Sequence, residues 1–248
     1  MLGGSRPDGS VLDVPARRAP GAARSRPGHA GVGSRTVRGV RGRQLTLVSY
    51  GVLPPSVEDL EGLLLGPGQL ARMGGTARLS VLVTDDWRRD ALCAAFTERG
   101  LPAGTGDTGR DAGSATGGDT GSDSVRGSQV VRTPFVAALR GVAARWQRGA
   151  VKAVPERFAL DGARLRLWAL AAGSRDGSGY LLALGAHDDP NVWSSAGSVL
   201  AAAGLPGTFL EPRTSGPAYR VTGRRRLARL VELVGEPPPG AEPTGWPT

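Results

Sequence analysis

The sequence predicts an α/β (α+β) protein made of two tandem, pseudo-symmetric αββαββα units with antiparallel sheets. Two observations lead to this prediction. Apolar residues recur at helical spacing in some segments and alternate in others, which are the signatures of helices and half-buried strands. Features of the first half also recur in the second half at a nearly constant distance, as an internal repeat requires.

The repeat is visible in two short motifs. Gly100-Leu101-Pro102 returns 104 positions later as Gly204-Leu205-Pro206, and Asp85-Asp86 returns 103 positions later as Asp188-Asp189. We expect a disordered Arg-, Gly- and Pro-rich tail, a first repeat with a flexible insertion, a second repeat and a C-terminal tail. These regions are residues 1–49, residues 50–150 with the insertion at 103–128, residues 151–238, and residues 239–248.

The first helix is predicted at Val57–Leu65. Ser56 is a suitable N-cap, and Asp59 stands three residues later, as in a capping box. Proline and glycine in Gly66-Pro67-Gly68 then end the helix.

A β-hairpin follows, with strands at Gln69–Met73 and Thr76–Val83 joined by Gly74-Gly75. Alternation in the second strand directs Ala77 and every second residue after it to one face, which suits a helix layer. The opposite face, with Arg78, suits solvent or a polar ligand.

The remaining elements follow from the same patterns of periodicity and turn residues. They are a helix capped by Asp85 or Asp86 and ending at Arg99, a strand at Gln129–Thr133, a helix at Phe135–Arg148, a helix over Leu165–Ala172 that ends in the turn Gly173–Gly177, a strand at Tyr180–Leu184, a helix ending at Ala203, strands at Thr208–Leu210 and Ala218–Thr222, and a helix at Arg224–Val234.

The net charge of +9 is unevenly distributed. Residues 1–44 contain nine arginines and two aspartates, so seven of the nine charges belong to this segment and two to the remainder. The segment has too little apolar surface to offset the entropy of ordering. It could contact phosphates, act as a transit peptide, or be a solvated extension without a role.

Several classes of protein are disfavoured by composition. A single cysteine, Cys93, excludes an internal disulfide, and two distant histidines, His29 and His187, argue against a zinc site. There is no apolar run long enough for a membrane span and no secretory signal pattern. We therefore expect a cytoplasmic protein with no membrane partner.

The start of each repeat resembles a known motif. Leu60–Gly68 reads Leu-Glu-Gly-Leu-Leu-Leu-Gly-Pro-Gly, and Ala169–Gly177 matches chiefly at its final Asp-Gly. Over Val57–Gly235 the chain resembles the LAGLIDADG fold of homing endonucleases, and its later part is also similar to the LAGLIDADG-like region of WhiA regulators. The resemblance implies two sheets that form a saddle over duplex DNA.

The resemblance also implies a helix pair and a metal site. The two motif helices would pack through small residues, for which Gly62, Ala171 and Ala172 are candidates. In active relatives, an acid at the eighth motif position of each copy holds divalent metal; here those positions are Pro67 and Asp176. Proline cannot bind a metal, so we predict a lost catalytic site and no cofactor, with Mg²⁺ only if nuclease activity remains. Asp176 could also be an ordinary Asp-Gly turn residue.

Arginines on or near the predicted strands, and at the start of the last helix, are candidates for contact with DNA. The solvated face of a helix is the ordinary alternative for the last two of them. These arginines are Arg72, Arg78, Arg132, Arg213, Arg220, Arg224 and Arg225.

Three functions remain open from the sequence. The first is a pseudo-dimeric monomer that binds double-stranded DNA or regulates without cleaving. The second is a protein-interaction scaffold that kept the fold but does not bind nucleic acid. The third is a residual Mg²⁺-dependent endonuclease that uses Asp176 together with Glu61 or Asp59.

Overall fold

Two four-stranded antiparallel sheets, one from each half of the chain, have the same strand order in the computed structural model. The structure describes residues 54–107, 127–186, 188–211 and 216–248. The first sheet has the order β1-β2-β4-β3, and the second has the order β7-β8-β10-β9. The predicted arrangement of helices and antiparallel sheets is thus confirmed.

The first half contains three helices and the first sheet. A 3₁₀ turn at Val57–Leu60 leads into α1, and the capping box of Ser56 and Asp59 is formed. The elements are α1 (Glu61–Leu65), β1 (Gln69–Met73), β2 (Thr76–Val83), α2 (Asp86–Glu98), β3 (Gly104–Asp107), β4 (Gln129–Arg132), a 3₁₀ turn at Ala137–Leu139, and α3 (Arg140–Trp146).

The second half repeats this order after a short hairpin. Asp161 and Asp189 cap two of its helices by accepting hydrogen bonds from backbone N–H groups of the first turn. The elements are β5 (Gln147–Arg148), β6 (Val151–Lys152), α4 (Gly162–Ala172), β7 (Gly173–Asp176), β8 (Gly179–Ala183), α5 (Pro190–Ala202), β9 (Thr208–Leu210), β10 (Ala218–Thr222) and α6 (Arg224–Val234).

Alternation along the strands separates a buried face from an outward face in each sheet. In β2, Ala77, Leu79, Val81 and Val83 are at most 3% exposed and face the helices, while the residues between them are partly open. Tyr180 and Leu182 of β8 and Val221 of β10 are buried in the same way. One apolar core runs through both halves.

The helices α1 and α4 pack side by side at the centre. A Cβ atom on Gly62 would lie 1.9 Å from the carbonyl oxygen of Arg164, and one on Gly66 would lie 2.7 Å from the ring of Trp168. Because both pairs advance by four residues, the helices run in the same direction, and the predicted contact at Gly62 is present. This alignment places Ala171 and Ala172 beyond the end of α1, so these alanines do not form the close contact between the two helices.

Several predicted boundaries differ in the structure, and the turn predicted at Gly173–Gly177 contains strand β7. The helix predicted to reach Arg148 stops at Trp146, and the hairpin β5–β6 follows, so the boundary at residue 150 falls inside this hairpin. The insertion was placed too early, because Gly104–Asp107 pair with β4 as strand β3. The rest of the insertion, residues 108–126, lies outside the described residues, as does the tail at 1–49.

The segment after α6 is part of the packed structure and not a peripheral tail. Trp246 is 1% exposed, and its indole N–H donates to the carbonyl of Gly235 at 3.1 Å. The buried hydroxyl of Tyr180 donates to the carbonyl of Gly245 at 3.0 Å. This aromatic side chain, twelve residues past the end of α6, is part of the apolar core.

None of the helices in the described part of the chain has the length and apolar character that a bilayer crossing demands.

Candidate functional site

The carboxyl end of α1 is capped by a lysine. Lys152 Nζ donates to the carbonyl oxygens of Gly66 at 3.1 Å and Gly68 at 3.2 Å, and it forms an ion pair with Asp188. Both side chains are at least 90% buried. Burial lowers the pKa of Lys152, whereas the carboxylate of Asp188 acts in the opposite direction. A cation suits this position because a helix carries partial negative charge at its carboxyl end.

The carboxyl end of α4 is capped by an arginine from the first half. Arg88, in the first turn of α2, donates to the carbonyl oxygens of Ala169 at 3.2 Å, Leu170 at 2.6 Å and Gly173 at 2.5 Å. Its Nε contacts the carboxylate of Asp85 at 2.7 Å, and the side chain is 8% exposed. These bonds connect residues more than 80 positions apart.

The two caps are built alike. In each, a buried cation at the end of one central helix forms an ion pair with an aspartate. These aspartates, Asp85 and Asp188, are the ones that recur in the sequence at a spacing of 103. Sequence reasoning detected the spacing but missed the caps. The available signal was that Lys152 is the single lysine among 31 basic residues, and a compact ammonium fits a site between carbonyls.

Asp176 is not part of either cap. It is the last residue of β7, where it pairs with Gly179 in the hairpin that joins β7 and β8. The sequence placed Asp176 in a turn at the end of a motif helix, but in the structure α4 ends at Ala172 and strand β7 begins immediately, so Asp176 belongs to a strand. Its carboxylate lies 2.8 Å from Nε of Arg220, and its backbone carbonyl accepts a bond from the same guanidinium.

The other acids of the residual-nuclease hypothesis are also engaged. Glu61 is 4% exposed and contacts Arg145 at 2.7 Å and Arg164 at 3.3 Å. Asp59 contacts Arg99 at 2.9 Å. Both acids stand at or before the first turn of α1, whereas Asp176 follows the far end of α4. Since these helices are parallel, the acids lie at opposite ends of the pair.

The residues at the helix ends do not fit a divalent metal. Mg²⁺ requires several oxygen ligands, usually including carboxylates. Pro67 lies in the turn after α1, Gly173 follows α4, and the nearby carboxylates are paired with Lys152 and Arg88. Over the residues that the structure describes, three or more His, Cys, Asp or Glu side chains nowhere gather into a possible metal site.

The outward faces of the sheets carry three of the predicted arginines. Strand register places Arg78 and Arg132 on the same face of the first sheet, and Arg220 on the corresponding face of the second. The guanidinium of Arg78 lies 4.7 Å from the ring centroid of Phe135. Arg220 differs because it is already paired with Asp176.

Three other predicted arginines are not on these faces. Arg72 pairs with Ala77 and therefore lies on the helix-side face of the sheet. The prediction that Arg72 contacts DNA from the saddle face is therefore wrong. Arg224 and Arg225 are exposed in the first turn of α6, which packs against α4 and β10. The positive φ of Gly223, 93°, permits the sharp entry into that helix. Arg213 lies outside the described residues.

Apolar side chains occupy much of the same outward faces. Met73 and Leu82 are 60% and 49% exposed on the first sheet, and Leu210 is 36% exposed on the second. A concavity of about 550 Å³ on the second sheet is lined by Leu181, Leu210 and their neighbours, with Glu211 as its charged group. In the described part of the chain, these faces therefore carry exposed apolar side chains beside the arginines and do not form a continuous positive surface.

Solved structures that are similar to this chain include three of homing endonucleases. I-WcaI bound to its DNA recognition sequence is 11% identical over 71% of this chain and 79% of its own, with a TM-score of 0.48. Mesophilic variants of I-DmoI show 11% identity, coverage of 71% and 92%, and a TM-score of 0.39. I-DmoI in complex with DNA and Mn shows 11% identity, coverage of 72% and 95%, and a TM-score of 0.38.

All three belong to the class of protein to which the sequence resemblance points, and at 11% identity the likeness concerns the fold alone. No protein-family model and no curated protein matches the chain.

Proposed function

We propose that this chain is a duplicated, LAGLIDADG-like module that binds double-stranded DNA as a pseudo-dimeric monomer and does not cleave it. The observation that carries the proposal is that a positively charged side chain caps the carboxyl end of each central helix. Arg88 and Lys152 cap the ends of α4 and α1, and the resemblance implies that an active nuclease would hold carboxylates and metal at this end of the helix pair. Two-metal chemistry has no basis in such a site.

DNA binding is supported by the outward arginines and by the overall charge. Arg78 and Arg132 can contact phosphates or base edges from the first sheet, since guanidinium groups suit both. The arginines of residues 1–44 would add contacts to phosphates that do not depend on sequence. Without that segment the net charge is only +2, so we expect modest affinity from the sheets alone.

The test is a fluorescence-anisotropy titration of the full chain against a labelled duplex, repeated over a range of salt concentrations. Binding should weaken steeply as salt rises. Incubation of a randomised duplex library with Mg²⁺ or Mn²⁺ should leave the DNA intact. No binding at low salt would remove the DNA proposal, and efficient metal-dependent cutting would remove the claim of a non-cleaving site.

A protein-interaction scaffold is the second candidate, and the exposed apolar side chains Met73, Leu82 and Leu210 favour it. Exposed apolar side chains on a sheet face can contribute to a protein interface. The charge reversals Arg78→Glu and Arg220→Glu separate the two functions. A DNA-binding module should lose affinity for DNA in the Arg78→Glu variant, whereas the partners of a scaffold would be retained in both variants.

A further inference from the structure

The strands β1 and β7 are matching edges of the two sheets, and each enters the next strand through a two-residue turn. Arg72 and Arg175 have the same place in these edges, because each is the last residue but one before the turn. Each also pairs with a buried residue of the next strand, Ala77 or Tyr180, and so lies on the helix-side face of its sheet.

The C-terminal segment covers the edge of β7. The backbone N–H of Arg175 donates to the carbonyl oxygen of Thr244 at 2.7 Å, and its guanidinium donates to the hydroxyl of Thr248. An uncovered edge strand presents free N–H and C=O groups to other chains. The second sheet therefore closes this position with a segment of its own chain.

The matching position on β1 is open. Ala77 exchanges both of its main-chain hydrogen bonds with Val136, at 3.1 and 2.9 Å, so Arg72 and Ala77 form a non-hydrogen-bonded pair. The N–H and C=O of Arg72 consequently point away from β2, like the carbonyl of Leu70, which accepts a bond from the side chain of Gln147 at 2.9 Å. Arg72 is exposed, and the described part of the chain provides no partner for its outer main-chain groups or its guanidinium.

We propose that the open edge of β1 at Arg72 binds an extended, acidic segment of a partner protein, which pairs with the strand by β-augmentation. Main-chain groups of the segment bond to the N–H and C=O of Arg72, and a carboxylate bonds to its guanidinium. The covered edge has the same pattern, because a carbonyl and a side-chain oxygen of one extended segment bind Arg175. A carboxylate is the fitting acceptor at Arg72, which has no counterion among the described residues.

A second copy of β1 is a poorer occupant. Antiparallel pairing of two copies at Arg72 would set two guanidinium groups side by side, and like charges opposite each other destabilise a strand pair. Duplex DNA is also a poorer occupant, because Arg72 lies on the helix-side face and not on the outward face that carries Arg78. The inference goes beyond the proposed DNA function and does not depend on it.

The experiment is an anisotropy titration of the full chain with a labelled short peptide of alternating threonine and glutamate. We expect saturable binding that Arg72→Ala weakens by roughly tenfold, because a charge-assisted hydrogen bond is lost. Arg72→Pro should weaken binding by about fivefold more, since proline also removes the N–H. An edge strand tolerates proline where the N–H points outward. Arg225→Ala is the matched control, because it removes the same charge from an exposed residue of α6 and should leave the affinity unchanged.

A second peptide tests the main-chain bonds without any change to the protein. It has the same side chains but carries a methyl group on every second backbone nitrogen, so that it cannot donate along one edge. We expect its affinity to be reduced when the methylated edge faces β1, and shifting the methyl groups by one residue should restore it. Equal losses in the Arg72→Ala and Arg225→Ala variants, or equal affinity for the two methylated peptides and the unmodified one, would overturn the inference. Neither result bears on binding of duplex DNA.

Discussion

Arg88 donates a hydrogen bond of 2.6 Å to the carbonyl oxygen of Leu170, joining the first turn of α2 in one half of the chain to the last turn of α4 in the other. The bond satisfies a carbonyl that a helix end leaves without a partner. It also places a fixed positive charge where a catalytic carboxylate was expected from the sequence resemblance. Stability and the proposed loss of cleavage thus depend on the same side chain.

Replacing this arginine should destabilise the whole fold. Arg88→Met leaves the carbonyls of Ala169, Leu170 and Gly173 without their donor, and we expect the free energy of unfolding to fall by about 2–4 kcal/mol. Urea denaturation followed by circular dichroism measures the change. Arg89→Met is the control, because its partners Asp86 and Asp90 are exposed, and it should change stability far less. Equal losses in both variants would contradict the capping role.

The close approach of the central helices predicts a severe effect at Gly62. In Gly62→Ala the new methyl group would lie 1.9 Å from a backbone oxygen, so the helices must separate. Overpacking of this kind should cost about 3 kcal/mol or more. Gly75→Ala is the control, since no atom lies within 4 Å of its added Cβ. Thermal unfolding of the two variants compares them directly, and a Gly62→Ala protein as stable as the wild type would refute the packing.

Removal of the Asp176 carboxylate should strengthen DNA binding. Asp176→Asn takes away the ion-pair partner of Arg220 and frees the guanidinium for a phosphate. One added phosphate contact should steepen the plot of log affinity against log salt by about 0.9. Glu232→Gln, which breaks an exposed ion pair with Arg229 in the helix layer, should leave the slope unchanged. If the Asp176→Asn change instead abolishes a metal-dependent cleavage, the residual-nuclease hypothesis is correct.

Alkaline pH should loosen the C-terminal segment from the core through Tyr180. Burial raises the pKa of this phenol above its ordinary value of 10.0. Its contribution to stability is therefore complete below pH 10 and declines as the pH rises toward the raised pKa, because the unfolded chain releases the proton first.

Tyr180→Phe tests this dependence. The variant loses the hydrogen bond to Gly245, so its free energy of unfolding near neutral pH should drop by about 1 kcal/mol. Above pH 10 it should lose stability less steeply than the wild type. Urea unfolding at several alkaline pH values measures both slopes, and identical slopes would show that Tyr180 does not govern the alkaline loss.

Local pattern was sufficient to predict most of the elements. The hairpin at Gly74-Gly75, the strands Thr208–Leu210 and Ala218–Thr222, and the helix Arg224–Val234 have the bounds expected from the sequence. Alternation also identified the face that carries Arg78. These features depend on turn chemistry and periodicity within a few residues, which a single sequence contains.

Motif counting failed at Asp176 for a physical reason. The comparison assumed that both motif helices end at the same position, but α4 passes into β7 at Gly173, whereas three residues separate α1 from β1. A shift of a few residues at a helix end moved the candidate acid from the helix pair into a hairpin.

What the sequence determined by itself was therefore the order of most helices and strands and the outward position of Arg78. Only the tertiary structure decided that Arg88 and Lys152 cap the central helices, that Asp176 pairs with Arg220, and that Trp246 returns to the core. These contacts join residues distant in the chain. They arise because helix ends need partners for their carbonyls and buried charges need counterions, and no local pattern specifies which residue provides them.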